Sequence, residues 1–522
     1  MAEKITAEKS VVLVTVDCMR ADHAGFMGYA RATTPFLNSL AAESFVFPAA
    51  IVAGAPTYYS LPAILASRYP LALGRDIVGL APEEPNLASA FQKAGYATAF
   101  FGAGNPYISP RFGYDFGFDT FRDFLDRDSG VSADARPMGI AAGGWLSRLN
   151  QKLQRTSARL GPWGAVYNEL YFQYCQRRTS TPGSLHELRR FPAADVVVDQ
   201  ARSWLASLGG APFFLWLHLM DPHAPYYPVE KAVQEMGNPS VMPFRARYLN
   251  SFWNRSDLSP SRLTRHRDEV VGLYDAGIRW VDSQMARLVD ALRHFNIWDR
   301  CILAFTADHG EEFLDHGGRY HPPTRLMEEL IRVPLLLRVP GEGQTRREVK
   351  QSPFSLLHLA PTLLDIAGVE APSTFCGRSH WEHLRNGSAS GEAALAESIA
   401  DCANPFHRQN RGGVRALAIR ESRFKLTMGF SSARECFYDL ESDPGEQAPL
   451  PAHAETPARR RLLERAREHL RQSIERRDLT ARARSQLRDL RLADLLSNAS
   501  AFGQIGGPSN RLQLHFPEAK AS

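Results

Sequence analysis

Three short apolar runs, each followed directly by acidic or imidazole side chains, constrain the fold of this chain more than any other feature. They cover residues 11–16 (VVLVTV), 213–219 (FFLWLHL) and 302–306 (ILAFT). Such runs of β-branched and aromatic residues are typical of strands that are buried on both faces of a parallel sheet. The sequence therefore predicts that all three are central strands.

Helical patterns separate these strands. Helices are predicted over residues 86–94, 193–208 and 273–294, and a fourth strand over residues 333–339. Alternation of strands and helices indicates a parallel sheet with helices on both faces. We therefore predict an α/β fold, a three-layer sandwich with a large, mostly parallel central sheet covered by helices.

The residues that follow the three strands carry the chemical argument. Asp17 follows the first run, Asp221 and His223 follow the second, and Asp308 and His309 follow the third. Ligands of open α/β sheets bind outside the carboxyl ends of the strands, so these side chains are expected to converge at one edge. Asp and His also begin turns after strands, which is the alternative for any single ending.

Composition divides the rest of the chain. We predict an α/β catalytic domain over residues 1–384, a small α+β C-terminal subdomain over 385–455 and an arginine-rich helical extension over 456–522. Residues 125–190 form an insertion with a basic amphipathic helix near Trp145 and an aromatic cluster after it. This insertion either packs on the core or covers the substrate pocket.

Charge and cysteine usage limit the partners. The net charge is +5, but residues 459–491 alone hold twelve arginines and five acids, so the rest of the chain is close to neutral. This balance argues against a nucleic-acid partner. The N-terminal residues lack the apolar core of a signal peptide, no run of apolar residues is long enough for a membrane span, and no CxxC pair exists. We predict a cytoplasmic protein with reduced thiols, and we leave a homo-oligomer open.

Four segments in the expected order resemble the sulfatases and their phosphatase relatives. They lie at residues 11–47, 213–228, 304–318 (AFTADHGEEFLDHGG) and 435–446 (ECFYDLESDPGE). The resemblance implies one divalent metal ion (Mn²⁺, Zn²⁺, Mg²⁺ or Ca²⁺) held by Asp17, Asp308 and His309. The family commonly has a second carboxylate where this chain has Cys18, which we interpret as a small buried residue rather than a ligand.

The nucleophile position departs from the sulfatase pattern. Sulfatases carry C/S-x-P-x-R and convert its first residue to formylglycine, whereas the aligned residues here are Thr57-Tyr58-Tyr59-Ser60-Leu61. No formylglycine is therefore expected. The spacing from Thr57 to Ser67, Tyr69 and Pro70 resembles that of the lipoteichoic acid synthases, which use an unmodified threonine. An N-cap role at the start of a helix is the alternative for Thr57 alone.

Further site residues are taken from the same resemblance. His223 is the first candidate for a general acid or oxyanion contact, and His218 is the second, with a core histidine as its alternative. His321 matches the histidine that follows the metal motif in relatives. The segment that binds sulfate in the family lacks its lysine and histidine here. Candidate substrate-binding residues are Arg20, Asn105 and His316, and Arg20 has a nearby acid as its alternative partner.

The combined pattern predicts a metal-dependent hydrolase or phosphoryl transferase. Its expected substrate is a small-molecule or lipid-like anionic ester, either a phosphate ester, a diester or a phosphonate, cleaved through a phosphothreonine at Thr57. The alternatives are a sulfuric ester hydrolase and a catalytically silent binding protein of the same fold.

Overall fold

The computed structural model describes residues 9–73, 78–125, 162–180, 183–237, 242–342, 346–349, 352–388, 391–400, 414–430, 434–451 and 456–472. Met1–Glu468 form one compact unit and His469–Ser522 a second. The division at residues 384 and 455 therefore stays a prediction.

The strands, numbered in chain order, are β1 Ser10–Val16, β2 Phe45–Val46, β3 Ala50–Ile51, β4 Ala97–Gly102, β5 Thr120–Arg122, β6 Phe213–Leu219, β7 Cys301–Ala307, β8 Glu312–Phe313, β9 Arg319–Tyr320, β10 Arg332–Val333, β11 Leu335–Arg338, β12 Arg347–Glu348, β13 Phe354–Ser355, β14 Ala394–Ile399, β15 Arg415–Glu421, β16 Phe424–Gly429 and β17 Arg434–Asp439. The helices are α1 Pro35–Ala41, α2 Thr57–Ala66, α3 Leu87–Lys93, α4 Pro162–Arg178, α5 Ala194–Ser207, α6 Glu230–Glu235, α7 Pro243–Trp253, α8 Pro260–Leu263, α9 Arg267–His294, α10 Glu328–Ile331, α11 Leu359–Ala367, α12 Trp381–Asn386 and α13 over residues 457–472.

An eight-stranded sheet forms the centre, in the order β12-β2-β11-β7-β1-β6-β4-β5. Strand β1 pairs in parallel with both β6 and β7, so the three predicted central strands are neighbours. All residues of these strands are buried, which explains why their sequences do not alternate. The predicted fold class is confirmed. The fourth predicted strand is antiparallel and is broken at Pro334 into β10 and β11, because proline cannot donate to the ladder.

The predicted helices are present with small changes at their ends. Helix α3 begins after Asn86, whose side chain accepts from Ser89 N in a capping box. Helix α9 begins six residues earlier than residue 273, at Arg267, where Asp268 and Glu269 in the first turn favour the helix dipole.

The predicted helix near Trp145 lies outside the described residues. The aromatic cluster after it falls on α4, where the Phe172 ring packs on Tyr248 and Phe252. On the same helix Tyr174 is 52% exposed. One part of this cluster therefore packs on the core, and another part faces solvent.

The C-terminal residues build a separate antiparallel sheet in the order β14-β15-β16-β17. Helix α13 covers its apolar face with Ala458, Leu462 and Ala466. The Thr456 hydroxyl accepts from Arg459 N at 3.2 Å and thereby caps the N-terminus of this helix. This arrangement gives the small sheet its own hydrophobic core.

A buried cluster of charged side chains connects this sheet to the rest of the unit. Lys425 of β16 is fully buried, with its Nζ 2.8 Å from Glu446 Oε1 and 3.3 Å from Glu328 Oε1. Glu328 belongs to α10, which leads into the central sheet through β10 and β11. The cation therefore neutralises two buried carboxylates that would otherwise repel each other.

Replacing Lys425 with Met should destabilise the protein by about 3 kcal/mol, because the buried Glu446 carboxylate loses its counterion. Glu328 loses one of its cations and keeps Arg420 and Arg332. Thermal unfolding should show a melting temperature lower by several degrees. The control is Lys231→Met, since the Lys231 side chain is 69% exposed. Equal melting temperatures for the two variants would show that the cluster contributes nothing to stability.

Candidate active site

The carboxyl ends of β1 and β7 place three buried side chains together. Asp17 follows β1, and Asp308 and His309 follow β7, which is its parallel neighbour. The ladder continues past the strand ends, because Asp17 N donates to Leu219 O at 2.8 Å and Asp308 N donates to Val16 O at 3.3 Å. The three side chains are inaccessible to solvent, so the sheet edge fixes their positions.

The orientation of the His309 ring shows which oxygen atoms face its Nε2. Its Nδ1 lies 2.8 Å from the Gly310 carbonyl, which only accepts, so the proton of the neutral ring sits on Nδ1. The free lone pair on Nε2 then faces three oxygens: Thr57 Oγ1 at 3.2 Å, Asp308 Oδ2 at 3.6 Å and Asp17 Oδ1 at 3.7 Å. A ring nitrogen anchored in this way is typical of metal-ligating histidines.

The two carboxylates also fit a cation. Asp308 Oδ2 is buried and accepts no hydrogen bond within the described residues. Burial and the nearby Asp17 charge raise the pKa of Asp308. Burial would also raise the pKa of Asp17, but His223, His218 and His309 outweigh it and hold that pKa well below its usual range. An unpaired carboxylate oxygen beside a second carboxylate and an imidazole lone pair is the donor set of a divalent metal site.

Thr57 lies at the N-terminus of α2, a helix that is buried along its whole length. Its hydroxyl is 3.5 Å from Asp17 Oδ2 and 3.2 Å from His309 Nε2, and the residue is 5% exposed. Pro56 precedes it and offers no side-chain cap, so the helix end faces the carboxylates. The structure thus brings the Thr57 hydroxyl beside the three predicted metal ligands.

Three further predicted histidines surround this group. His218 is buried on β6, with Nε2 3.4 Å from Asp17 Oδ2 and Nδ1 2.8 Å from Thr15 Oγ1. His223 Nδ1 is 2.5 Å from the Ala224 carbonyl, and burial lowers the pKa of His223. The His321 ring lies 4.7 Å from the ring of His309 and 5.3 Å from that of His223, measured between centroids.

Glu311 is a site residue that the sequence reasoning missed. It is fully buried, and its Oε2 lies 3.0 Å from His321 Nδ1 while its Oε1 accepts from Tyr226 OH at 2.8 Å. Burial alone lowers the pKa of His321, but Glu311 outweighs it and raises that pKa. An acid two residues after His309 was a signal that could have been used.

The predicted substrate-binding residues have different surroundings. Asn105 is at the centre, where its Nδ2 donates to Asp17 Oδ2 at 2.7 Å. The Arg20 guanidinium binds Asp22 at 2.7 Å, Asp315 at 2.8 Å and a main-chain carbonyl, so the alternative of an acidic partner describes it.

His316 faces away from this chemistry. Its Nδ1 lies 2.7 Å from Glu329 Oε1, and its Nε2 lies 3.3 Å from the Glu446 carbonyl. The Glu329 carboxylate raises the pKa of His316 to about 9. Both ring nitrogens of His316 thus contact protein oxygens, and its role in substrate binding stays a prediction.

Cys18 is buried, as expected, but its side chain belongs to the site. Its thiol donates to Asp17 Oδ1 at 3.0 Å, and its backbone N–H donates to Asp308 Oδ1 at 3.2 Å. Burial and the charges of Glu311, Asp17 and Asp308 raise the pKa of the thiol well above its usual value. The described cysteines, of which Cys18 is one, form no disulfide.

Sequence and fold place the chain in the alkaline phosphatase superfamily. Within it the chain belongs to the sulfatase family, whose sequence profile matches residues 9–369. The profile of the N-sulphoglucosamine sulphohydrolase C-terminal region matches residues 319–475. The protein is thus a hydrolase of the sulfatase family, whose members are generally metal-dependent. No described helix is long and apolar enough to cross a membrane.

Named relatives cover most of the chain. The multifunctional alkaline phosphatase superfamily protein PehA of Trinickia caryophylli is 24% identical over 85% of this chain and 92% of its own length. An arylsulfatase of Clostridium perfringens is 24% identical over 84% and 89%. The crystal structure of the phosphonate monoester hydrolase of Agrobacterium radiobacter superposes with a TM-score of 0.63 at 21% identity, covering 90% of this chain and 96% of that one.

Replacing Asp308 with Asn should abolish stoichiometric metal binding, because it removes a carboxylate oxygen of this cluster that has no hydrogen-bond partner in the described residues. Metal analysis of the purified variant should find far less than one ion per chain. Added Mn²⁺ or Zn²⁺ should raise the melting temperature of the wild type but not that of the variant.

The metal-free variant should be at least as stable as the metal-free wild type, since the repulsion between Asp308 and Asp17 is removed. The control is Asp268→Asn on α9, where the carboxylate side chain is 97% exposed. Full metal occupancy in Asp308→Asn would show that the ion binds elsewhere.

Proposed function

We propose that this hydrolase acts on a phosphate ester, a phosphodiester or a phosphonate through a covalent phosphothreonine at Thr57. The observation that carries the proposal is the Thr57 hydroxyl, 3.2 Å from His309 Nε2 and 3.5 Å from Asp17 Oδ2 at a helix N-terminus. A threonine hydroxyl must be activated before it attacks phosphorus, and Asp17 and His309 lie close enough to the Thr57 hydroxyl to do this, directly or through a bound metal ion.

Asp17, Asp308 and His309 would hold the ion. A divalent ion bound there would lower the pKa of the Thr57 hydroxyl and neutralise charge on the phosphoryl oxygens. The Thr57 proton faces Asp17 Oδ2, and Asn105 and His218 hold that oxygen in place. On attack the Thr57 proton passes to Asp17 Oδ2, the bond from Thr57 Oγ1 to phosphorus forms, and the bond from phosphorus to the leaving oxygen breaks.

His321 is the preferred donor of a proton to the leaving oxygen. Its Nδ1–H is oriented by Glu311, and Glu311 is itself fixed by Tyr226 OH, so the ring is held in one orientation with Nε2 available. A histidine–carboxylate pair of this kind favours the charged, proton-donating ring. We therefore place His321 ahead of His223 as the general acid.

His223 suits the second half of the reaction. Its Nδ1 proton is held by the Ala224 carbonyl, so the neutral ring presents the Nε2 lone pair. That nitrogen would take the proton of a water molecule, or of an acceptor alcohol, that attacks the phosphothreonine. The bond from Thr57 Oγ1 to phosphorus then breaks, and the proton held by Asp17 returns to Oγ1 and restores the hydroxyl.

The substrate is an anionic ester, and the charge around Thr57 supports a phosphoryl group. The N-terminus of α2 offers a positive dipole end to an anion. The Arg20 guanidinium is engaged by Asp22 and Asp315 and does not supply this charge. Two structures of this fold are titled phosphonate monoester hydrolases, from Agrobacterium radiobacter and Silicibacter pomeroyi, which is consistent with a phosphorus substrate.

Hydrolysis of a sulfate ester is the second candidate. Several relatives are named sulfatases, including the ulvan-active sulfatase of Formosa agariphila and the arylsulfatase of Clostridium perfringens. Against it stands Thr57 itself, because a threonine cannot become the formylglycine that sulfatases use. A catalytically silent binding protein is a weaker third candidate, since the buried donor set is present.

Replacing Thr57 with Ala should lower kcat/KM for aryl phosphodiesters and aryl phosphonates by at least about 10³-fold, because no covalent intermediate can form. Metal content should stay at the wild-type level. Thr57→Ser is the matched control and should retain measurable turnover. Acid-quenched wild type should carry one phosphoryl group on Thr57, read by peptide mass spectrometry. Undiminished turnover in Thr57→Ala would exclude this mechanism.

Replacing Glu311 with Gln should reduce kcat most for substrates with poor leaving groups. Protonation by His321 matters for an alkyl alcohol and little for 4-nitrophenol, whose oxygen leaves without help. A plot of rate against leaving-group pKa should be steeper for the variant, and His321→Asn should give the same slope. Glu312→Gln is the neighbouring control. A uniform loss across all leaving groups would indicate a purely structural role for Glu311.

A further inference from the structure

We infer that Cys18 is a thiolate ligand of the metal site and that the resident ion is therefore zinc. This inference rests on the proposed metal-dependent function and adds to it the identity of the ion. The site would bind through two carboxylates, one imidazole and one sulfur, from Asp17, Asp308, His309 and Cys18.

The position of the sulfur is the first support. Cys18 Sγ lies 3.0 Å from Asp17 Oδ1, and that oxygen lies 3.7 Å from His309 Nε2. One group of ligand atoms within 4.8 Å of one another contains Cys18 and His309 together with His321. The sulfur therefore lies beside Asp17 Oδ1 and close to the His309 ring.

The backbone at Cys18 is the second support. Its φ is +61°, in the left-handed region that side chains other than Gly, Asn and Asp rarely adopt. Tyr274 holds this turn, since its hydroxyl donates to the Cys18 carbonyl at 2.7 Å and accepts from Arg20 N at 2.8 Å. A turn that served only to reverse the chain would favour glycine, whereas this one aims a thiol at a carboxylate.

An independent observation points to a cation in this space. Asp308 Oδ2 is fully buried without a hydrogen-bond partner in the described residues. The other oxygen of that carboxylate accepts the Cys18 backbone N–H at 3.2 Å. Cys18 thus hydrogen-bonds to both carboxylates, through its thiol to Asp17 and through its backbone N–H to Asp308. The unpaired Asp308 Oδ2 indicates that a cation binds between these carboxylates.

Sulfur changes which ion the site prefers. Thiolates bind Zn²⁺ well and bind Mg²⁺ and Ca²⁺ poorly, because the latter are hard ions that select oxygen. On binding, the S–H bond of Cys18 breaks, a sulfur–zinc bond forms and the proton leaves to solvent. A carboxylate at this position would give an oxygen-rich site instead.

The test uses the full-length protein, stripped of metal with a chelator and reloaded with Co²⁺ as a spectroscopic probe. We expect a thiolate-to-cobalt charge-transfer band in the near ultraviolet, rising to a plateau at one equivalent. The band should be absent in Cys18→Ser and kept in Cys301→Ser, a control for another fully buried free cysteine. Stoichiometric Co²⁺ in the wild type without this band would overturn the inference.

Metal competition gives a second readout. Cys18→Asp tolerates the left-handed backbone and replaces sulfur with oxygen. We expect its preference for Zn²⁺ over Mn²⁺ or Ca²⁺ to fall at least about tenfold relative to the wild type. An unchanged preference would also overturn the inference. Folding of each variant is checked by circular dichroism, and the wild-type spectrum decides the question even if a variant fails to fold.

The Thr57→Ala variant separates this inference from the proposed function. If its charge-transfer band persists and its turnover is lost, both stand. If the band persists and turnover is normal, the nucleophile is wrong and the sulfur ligand stands. If turnover is lost and every protein that retains Cys18 lacks the band, Cys18 is not a metal ligand, while the assignment of Thr57 as the nucleophile stands.

Discussion

Asp17 and Asp308 bury two carboxylates side by side at the ends of adjacent parallel strands, with the lone pair of His309 facing both. Two buried acids repel each other, because burial removes the solvent that would screen them. A cation bound between them would turn this repulsion into attraction. The site residues around them, from Asn105 on one side to Cys18 on the other, hold these carboxylates in fixed orientations.

The central sheet makes such an arrangement tolerable. Strands β1, β6 and β7 are buried on both faces, and their ladder bonds continue to the residues that carry the charges. The backbone at the edge is therefore rigid. A rigid edge can hold like charges at short range, because the hydrophobic core of the sheet provides the stabilising free energy that their desolvation consumes.

Around the carboxylates, the histidines divide by the partner of their Nδ1 atom. The Nδ1–H groups of His309 and His223 donate hydrogen bonds to main-chain carbonyls, and that of His321 donates to Glu311. Each ring is thereby left with Nε2 available, and of these three Nδ1 partners only Glu311 is a carboxylate, which favours the charged form of His321. The hydrogen-bond partner of each ring therefore distinguishes the proposed metal ligand His309, the general base His223 and the general acid His321.

Much of this was determined by the sequence. Apolar runs without alternation predicted the central strands, and the parallel order placed Asp17, Asp308 and His309 at one edge. The helical pattern over residues 86–94 also predicted α3, which spans Leu87–Lys93. Three features depended on tertiary structure. Glu311 is fixed by Tyr226, one ring nitrogen of His316 contacts the Glu446 carbonyl, and Tyr274 holds the turn that directs the Cys18 thiol. These partners lie far away in the chain, and no local pattern encodes such contacts.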